Sequence, residues 1–381
     1  MRIVVTGTRG IPGIQGGVET HCEELYPRIA ALGHEVTVIR RSCYLTAGMK
    51  AEAKACRKAG RPLMYRGVRL TDVFAPRRKS IEALLHTFLS VLRARRMKPD
   101  ILHIHAIGPS LMVPLARLLG MKVVTTNHGP DYDRGKWGRL AKAVLRTGEK
   151  WGARRSNEVI VISQVIADIL ADRYGRRDTH LIYNGVPVPE RAADADYIES
   201  LGLERGRYVV ALGRFVPEKN FHLLIDAWLA SGLPARGIRL CIAGDADHED
   251  EYSRALKRKA AEAGVALTGF IRGEKLCQVM SHARLFVLPS SHEGLPISLL
   301  EAMSYGLDTL VSDIPANRIA QLDSGDFFHL DIADSQASVG ILRDALDRKA
   351  RGETVPREYD LTPYNWDHIA QQTLGVYAGL L

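Results

Sequence analysis

Residues 287–303, VLPSSHEGLPISLLEAM, hold the densest potential chemistry in this chain of 381 residues. An apolar run ends near Pro289, a polar loop follows, and Gly294-Leu295-Pro296 is expected to open a helix with proline near its first turn. A helix start offers free N–H groups and a partial positive charge, suited to a diphosphate or a sugar hydroxyl. Glu293 precedes that start, and Glu301 is expected about two turns inside. A carboxylate accepts well from paired hydroxyls, and a ribose presents two. Spacing alone leaves a second reading open, with Glu293 as a cap and Glu301 as a solvated helix position.

A second constellation is ALGRFVPEKN, residues 211–220, where an apolar run leads into a loop carrying Arg214 and Lys219. Two cations at the carboxyl end of a strand suit a diphosphate, Arg by forked bonding and Lys as a point charge. Alone, such cations are as readily solvated surface. The first loop runs from Gly7 through Gly10 and Gly13 to Gly16 and Gly17. A dinucleotide fingerprint needs GxGxxG opening a helix directly, whereas here the spacing is GxxGxxG and Pro12 interrupts it. His128, in TTNHGPDYD, follows an apolar run and shares its loop with Asp131 and Asp133. A lone histidine there is either structural or a ligand on the cleft side.

These residues need elements to carry them. Ile3–Thr6, Glu35–Ile39, Ile101–His105, Val123–Thr126 and Val159–Ser163 read as strands, with helices over about Thr20–Leu32 and Gln164–Tyr174. Tyr208–Leu212, Arg239–Ala243, Ala266–Thr268, Leu285–Leu288 and Thr309–Ser312 form a second set. Alternation of strand and helix predicts parallel sheets covered on both faces, with ligands beyond the carboxyl ends of the strands. The fold class is α/β. Two Rossmann-like domains are expected, over 1–190 and 191–363, facing across a cleft, with a C-terminal helix at 364–381 packing on the first. Asn184-Gly185 reads as a turn before the linker.

Composition agrees with a globular chain, 46% hydrophobic and 25% charged. No repeat or low-complexity tract appears, which excludes solenoid, fibrous and disordered classes. Five scattered cysteines without a CxxC pair fit reduced, buried thiols rather than disulfides or zinc. No signal peptide or membrane span is read, so a cytoplasmic location is expected. Residues 1–190 carry a net +16 and residues 191–381 a net −7, within the total of +9. The basic half is expected to face something anionic. Residues 77–98 place Ile81, Leu84, Leu85, Phe88, Leu89 and Leu92 on one helical face among cations, and residues 134–155 add Trp137 and Trp151. Such a helix either touches an anionic membrane surface or packs its apolar face on the sheet. No RNA-binding signature points to nucleic acid.

Glu293 and Glu301 enclose seven residues, and PSSHEGLP with LLEAM resembles the E-x7-E motif of retaining GT-B glycosyltransferases of family 4. GTRGIPGIQGGVET resembles the opening of a subset involved in bacterial polysaccharide assembly. The resemblance implies that Glu301 holds the nucleotide ribose and Glu293 the transferred sugar or its diphosphate, with Gly294 and Leu295 lying along both. It implies further that Arg214 and Lys219 hold the pyrophosphate, that Gly16 and Gly17 let backbone approach the donor phosphates and acceptor, and that His128 bonds a sugar hydroxyl. Phe270 and Ile271, in TGFIR, lie where the family holds the base, with Gly244 and Asp245 as a second wall. The implied partners are a nucleoside-diphosphate sugar and a lipid-linked saccharide acceptor at the inner face of the membrane. No cofactor or metal is expected, since cations and helix dipole neutralise the leaving group. The rival readings are a sugar-nucleotide epimerase, a non-catalytic peripheral binding protein and a nicotinamide oxidoreductase.

Overall fold

The computed structural model describes all residues except 77–81, 131, 133–137, 247–248, 320, 332 and 352–355. Asp131, Asp133, Ile81 and Trp137 lie outside the described residues. The chain divides into two units, Met1–Gly185 with Pro363–Leu381, and Val186–Thr362.

The first unit holds a sheet of β1 (Arg2–Thr6), β2 (Glu35–Arg41), β3 (Leu63–Tyr65), β4 (Val68–Val73), β5 (Ile101–His105), β6 (Val123–Asn127), β7 (Glu158–Val161) and β8 (His180–Leu181). Their order is β3-β4-β2-β1-β5-β6-β7-β8. Every pair is parallel except β3 with β4, which a tight turn at Arg66-Gly67 makes antiparallel. That edge hairpin was not read from the sequence; it is short, and VRLTDV mixes polar with apolar residues.

Alternation in β1 sorts the core into two layers. Ile3 and Val5 join Leu25, Tyr26 and Ile29 on one face, while Val4 joins Ile39, Val91, Leu102 and Val113 on the other. The C-terminal helix Trp366–Ala378 adds Trp366, Ile369, Ala370, Val376 and Tyr377 to the first layer. Asn365 caps it, its side chain accepting from the N–H groups of Asp367 and His368 at 2.9 and 3.1 Å. Gly185 lies flat against this helix: a Cβ there would stand 2.5 Å from the Trp366 ring. The expected turn at Asn184-Gly185 is therefore a packing contact, with Asn184 buried.

The second unit holds β9 (Tyr208–Leu212), β10 (Arg239–Ala243), β11 (Ala266–Leu267), β12 (Leu285–Leu288), β13 (Asp308–Ser312) and β14 (Phe327–Phe328), all parallel, in the order β11-β10-β9-β12-β13-β14. Val209, Ala211, Leu240, Ile242, Leu285, Val287 and Leu310 are buried in its core, the near-continuous apolar composition of strands covered on both faces. In each sheet the order reverses at one place, between β1 and β5 and between β9 and β12. The crevice outside the carboxyl ends at such a switch point is where open α/β sheets bind ligands.

Candidate active site

In the second unit the switch point brings together the loops after β9 and β12. Backbone and side chains stitch them. Ser291 N–H donates to the Glu218 carbonyl at 2.9 Å, and the Asn220 side-chain amide donates to the Pro289 carbonyl at 2.9 Å. Asn220 takes a left-handed conformation, φ 51°, which turns the chain into the helix Phe221–Ala230. Across this seam Lys219 Nζ lies 2.6 Å from Glu293 Oε1, with side chains 15% and 13% exposed. Both were expected around the donor diphosphate; 74 positions apart in sequence, they form one ion pair in the fold. A partly buried ammonium so held is fixed in place and remains in contact with solvent.

Gly213 and Gly244 let these loops close up. A Cβ on Gly244 would lie 1.9 Å from the Gly213 carbonyl, and Gly244 has φ 134°. Arg214 follows Gly213, half-buried, and Phe215 N–H donates to the Asp245 carbonyl at 3.1 Å. Gly244 N–H donates to the Gly269 carbonyl at 2.9 Å, so the loops after β9, β10 and β11 are tied in a row. Ile271 is buried beside them while Phe270 is 45% exposed. The helix expected to open at Gly294 starts at Ile297 and ends at Ser304, with Pro296 as its N-cap. Leu295 and Pro296 are buried and lead the chain in, and Gly294 and Glu301 are half-buried. Glu301 is the fifth helical residue, just beyond the first turn rather than two turns in. The proline sets an extended entry (φ −75°, ψ 106°) that delays the first helical residue.

In the first unit the Gly-rich loop after β1 is built by two carboxylates. Glu19 Oε1 accepts from the Arg9 N–H at 2.9 Å and from the Thr8 hydroxyl at 3.1 Å; Glu23 Oε2 accepts from the Gly13 N–H at 2.9 Å. The helix Gly17–Ala31 begins at Gly17, with Gly16 as N-cap at φ 147°. A Cβ at Gly16 would meet Glu19 Oε2 at 2.1 Å, whereas one at Gly17 meets nothing within 4 Å. Gly16 is thus required by the loop's own construction, and Gly17 borders open space.

His128 follows β6 and joins a buried histidine cluster. Its Nε2 lies 3.0 Å from His105 Nδ1, and its ring is 5.1 Å from that of His21, which Asn184 Oδ1 holds by Nδ1 at 3.0 Å. Among the described residues, His21, His105 and His128 bring ring nitrogens within 4.8 Å of one another. The 3.0 Å bond already occupies His105 Nδ1 and His128 Nε2 with each other. His103, Tyr26, Tyr377 and Thr126 complete the network. Sequence reasoning singled out His128 and passed over the rest. The signal available was ILHIH, where His103 and His105 alternate onto one face of a central strand.

Residues 15–189 match the family model described as Glycosyltransferase Family 4, and residues 194–353 match that of Glycosyl transferases group 1. Together they account for both units. The chain is a family 4 glycosyltransferase. It is 30% identical over 230 residues to a 2-deoxystreptamine N-acetyl-D-glucosaminyltransferase of Streptomyces fradiae, covering 56% of this chain and about half (54%) of that relative. Over 302 residues it is 27% identical to a GDP-mannose:cellobiosyl-diphosphopolyprenol alpha-mannosyltransferase of Xanthomonas campestris, covering 77% of each. Its fold is the GT-B fold of Anabaena HepE, solved with UDP and glucose, at TM-score 0.69, 17% identity and full coverage of both chains.

The histidine cluster gives this glycosyltransferase a pH dependence. Burial lowers His21 to about 4 and His103 to about 3, and holds His105 and His128 well below the ordinary histidine value. As pH falls below about 6.5 the unfolded chain takes up protons that these rings in the folded state refuse, so stability is lost toward about pH 4. Each such ring costs up to about 2 kcal/mol between pH 6.5 and 5. The expected result is a thermal transition of the first unit that falls steeply over that interval; a flat profile would show that the cluster is not held neutral.

Proposed function

We propose that this glycosyltransferase moves a hexose-type sugar from a nucleoside-diphosphate sugar to a lipid-linked saccharide acceptor, with retention of configuration, in cell-surface polysaccharide assembly. The observation that carries the reading is the Lys219–Glu293 pair at the switch point of the second sheet. There a cation, Arg214, the backbone at Gly294 and Leu295, and a helix start converge on loops of the kind that hold phosphates. Arg214 and Lys219 take the diphosphate and neutralise the charge that develops on it as it leaves, with no metal assigned to that task. Glu301 takes the ribose, Glu293 the sugar or phosphate, and the loop at Phe270 and Ile271 the base. In the first unit, His128 takes a sugar hydroxyl and the backbone at Gly16 and Gly17 approaches phosphates and acceptor. No side chain is assigned as a covalent nucleophile; the departing phosphate takes the acceptor's proton as the acceptor oxygen attacks from the same face.

A membrane-borne acceptor is supported by the helix Glu82–Met97 in the first unit. Its inward face mixes polar Glu82, His86, Thr87 and Ser90 with Val91 and Ala94, all buried, while Leu84, Phe88 and Leu92 are 39%, 39% and 37% exposed. Arg93, Arg95 and Arg96 stand exposed beside them. The helix Arg139–Arg155, packed like it on the turn Pro109–Met112, adds exposed Leu140, Val144 and Trp151 among further cations. Among the described residues no helix is long and apolar enough to cross a membrane. We therefore assign peripheral contact with an anionic leaflet at the inner face of the cytoplasmic membrane.

The test incubates the full chain with UDP-glucose, GDP-mannose and dTDP-glucose, with and without anionic vesicles carrying extracted bacterial lipids. Release of nucleoside diphosphate and a hexose mass added to one lipid are the expected results. Conversion of free donor without release would establish the epimerase reading, and binding without either would establish the non-catalytic one.

A further inference from the structure

Six polar side chains in the first unit form one unbroken hydrogen-bonded line that ends at His128. Thr126 Oγ1 lies 2.7 Å from His103 Nε2, and His103 Nδ1 lies 2.6 Å from the Tyr377 hydroxyl and 3.0 Å from that of Tyr26. The Tyr26 hydroxyl bonds His105 Nε2, and His105 Nδ1 lies 3.0 Å from His128 Nε2. The five residues before His128 are at most 1% exposed, so no water competes along the line. Burial keeps its three imidazoles neutral, one proton each.

A neutral imidazole donates from one nitrogen and accepts at the other, so the sense of one link dictates the sense of all. Two senses satisfy every member. Running from His128 toward Thr126, each ring is protonated on Nε2: His128 donates to His105, His105 to Tyr26, the tyrosine hydroxyls pass the sense to His103 Nδ1, and His103 donates to Thr126. Running the other way, all three rings must carry the proton on Nδ1. Free neutral histidine prefers Nε2–H, so the first sense sets three rings in their favoured form and the second sets none.

We infer that Tyr26 and His105 are positioning residues that fix His128 with its proton on Nε2, and so present His128 Nδ1 as a hydrogen-bond acceptor to a hydroxyl of the donor sugar. The inference rests on the reading of His128 as a sugar ligand. It adds which nitrogen meets the sugar, which partner donates, and how residues out of reach of any ligand decide it. His21 stands outside the line, its Nδ1–H turned to Asn184.

The experiment is two-bond proton–nitrogen correlation on the full chain labelled with nitrogen-15 histidine at neutral pH, where imidazole nitrogens with and without a proton are well separated. Expected are protonated Nε2 and bare Nδ1 at His103, His105 and His128. Tyr26→Phe removes the acceptor of His105 Nε2–H, and a buried orphan N–H costs more than a buried lone pair. His105 then moves its proton to Nδ1, donates to His128, and His128 moves its own to Nδ1. The reversal at His128, two links away, is a signature that loss of packing does not produce. With it, kcat/KM for the donor that is turned over, UDP-glucose or GDP-mannose, is expected to fall about tenfold. Tyr377→Phe leaves the Tyr26 hydroxyl beside His103 and is expected to leave His128 unchanged. A proton on His128 Nδ1 in the unsubstituted chain overturns the inference, as does a Tyr26→Phe spectrum with His128 unaltered. If the tautomers are as stated but His128→Ala transfers sugar normally, the ligand reading fails and the relay stands.

Discussion

Replacing Lys219 by methionine is expected to lower kcat about 10²- to 10³-fold, the cost of removing one preorganised group from a developing anion. The variant also leaves the Glu293 carboxylate, 13% exposed, without its ammonium. Loss of that ion pair is expected to cost stability as well, about 1–3 kcal/mol, seen as a lower transition of the second unit. The two effects separate in the double variant Lys219→Met with Glu293→Gln. Removing both charges leaves no uncompensated carboxylate, so stability returns most of the way, while the cation proposed to neutralise the leaving group and the carboxylate proposed to meet the sugar are both missing. Turnover should therefore stay low in the double variant. If turnover returned together with stability, the pair would be a structural tie across the β9 and β12 loops and the phosphate assignment would be wrong. Calorimetry and steady-state kinetics on the three proteins decide between them.

The second large effect is expected from Glu301→Gln. A carboxylate bonded to two ribose hydroxyls contributes about 1.5–3 kcal/mol per charged bond, so a single lost charge should weaken nucleoside-diphosphate binding about 10- to 100-fold. Its place just beyond the first turn of the helix Ile297–Ser304 makes it a neighbour of the helix start rather than of solvent farther along. The diagnostic comparison is with a 2′,3′-dideoxynucleoside diphosphate, which lacks both hydroxyls. The unsubstituted enzyme should bind it as weakly as the variant does, and the variant should not distinguish it from the parent nucleotide. Titration calorimetry reads both. A Glu301→Gln protein that still prefers the ribonucleotide would move the ribose site elsewhere.

Much of this was legible in the residues. Ile101–His105, Tyr208–Leu212, Arg239–Ala243 and Leu285–Leu288 are strands with the bounds their apolar runs suggest. The helix Gln164–Tyr174 stops at Gly175 in the left-handed conformation, as a glycine there implies. Short edge strands such as Leu63–Tyr65 and Phe327–Phe328 escaped, because two or three residues carry too little periodicity to be told from loop.

What the sequence determined by itself is the set of elements and the chemical types at their ends: a carboxylate on either side of Pro296, two cations after β9, glycines after β1. Local patterning suffices for that, since propensity and burial act within one element. Which ends become neighbours was decided only by tertiary structure. Strand order is a property of the whole sheet, so the meeting of Lys219 with Glu293, and of the His103 and His105 pair with residues 21, 26, 128 and 377 in one buried cluster, has no local signal beyond the alternation in ILHIH. The helix Glu82–Met97 shows the same division. Its period announces an apolar face, but only the packed unit reveals that Leu84, Phe88 and Leu92 stand exposed while Val91 and Ala94 join the core beside buried Glu82, His86, Thr87 and Ser90.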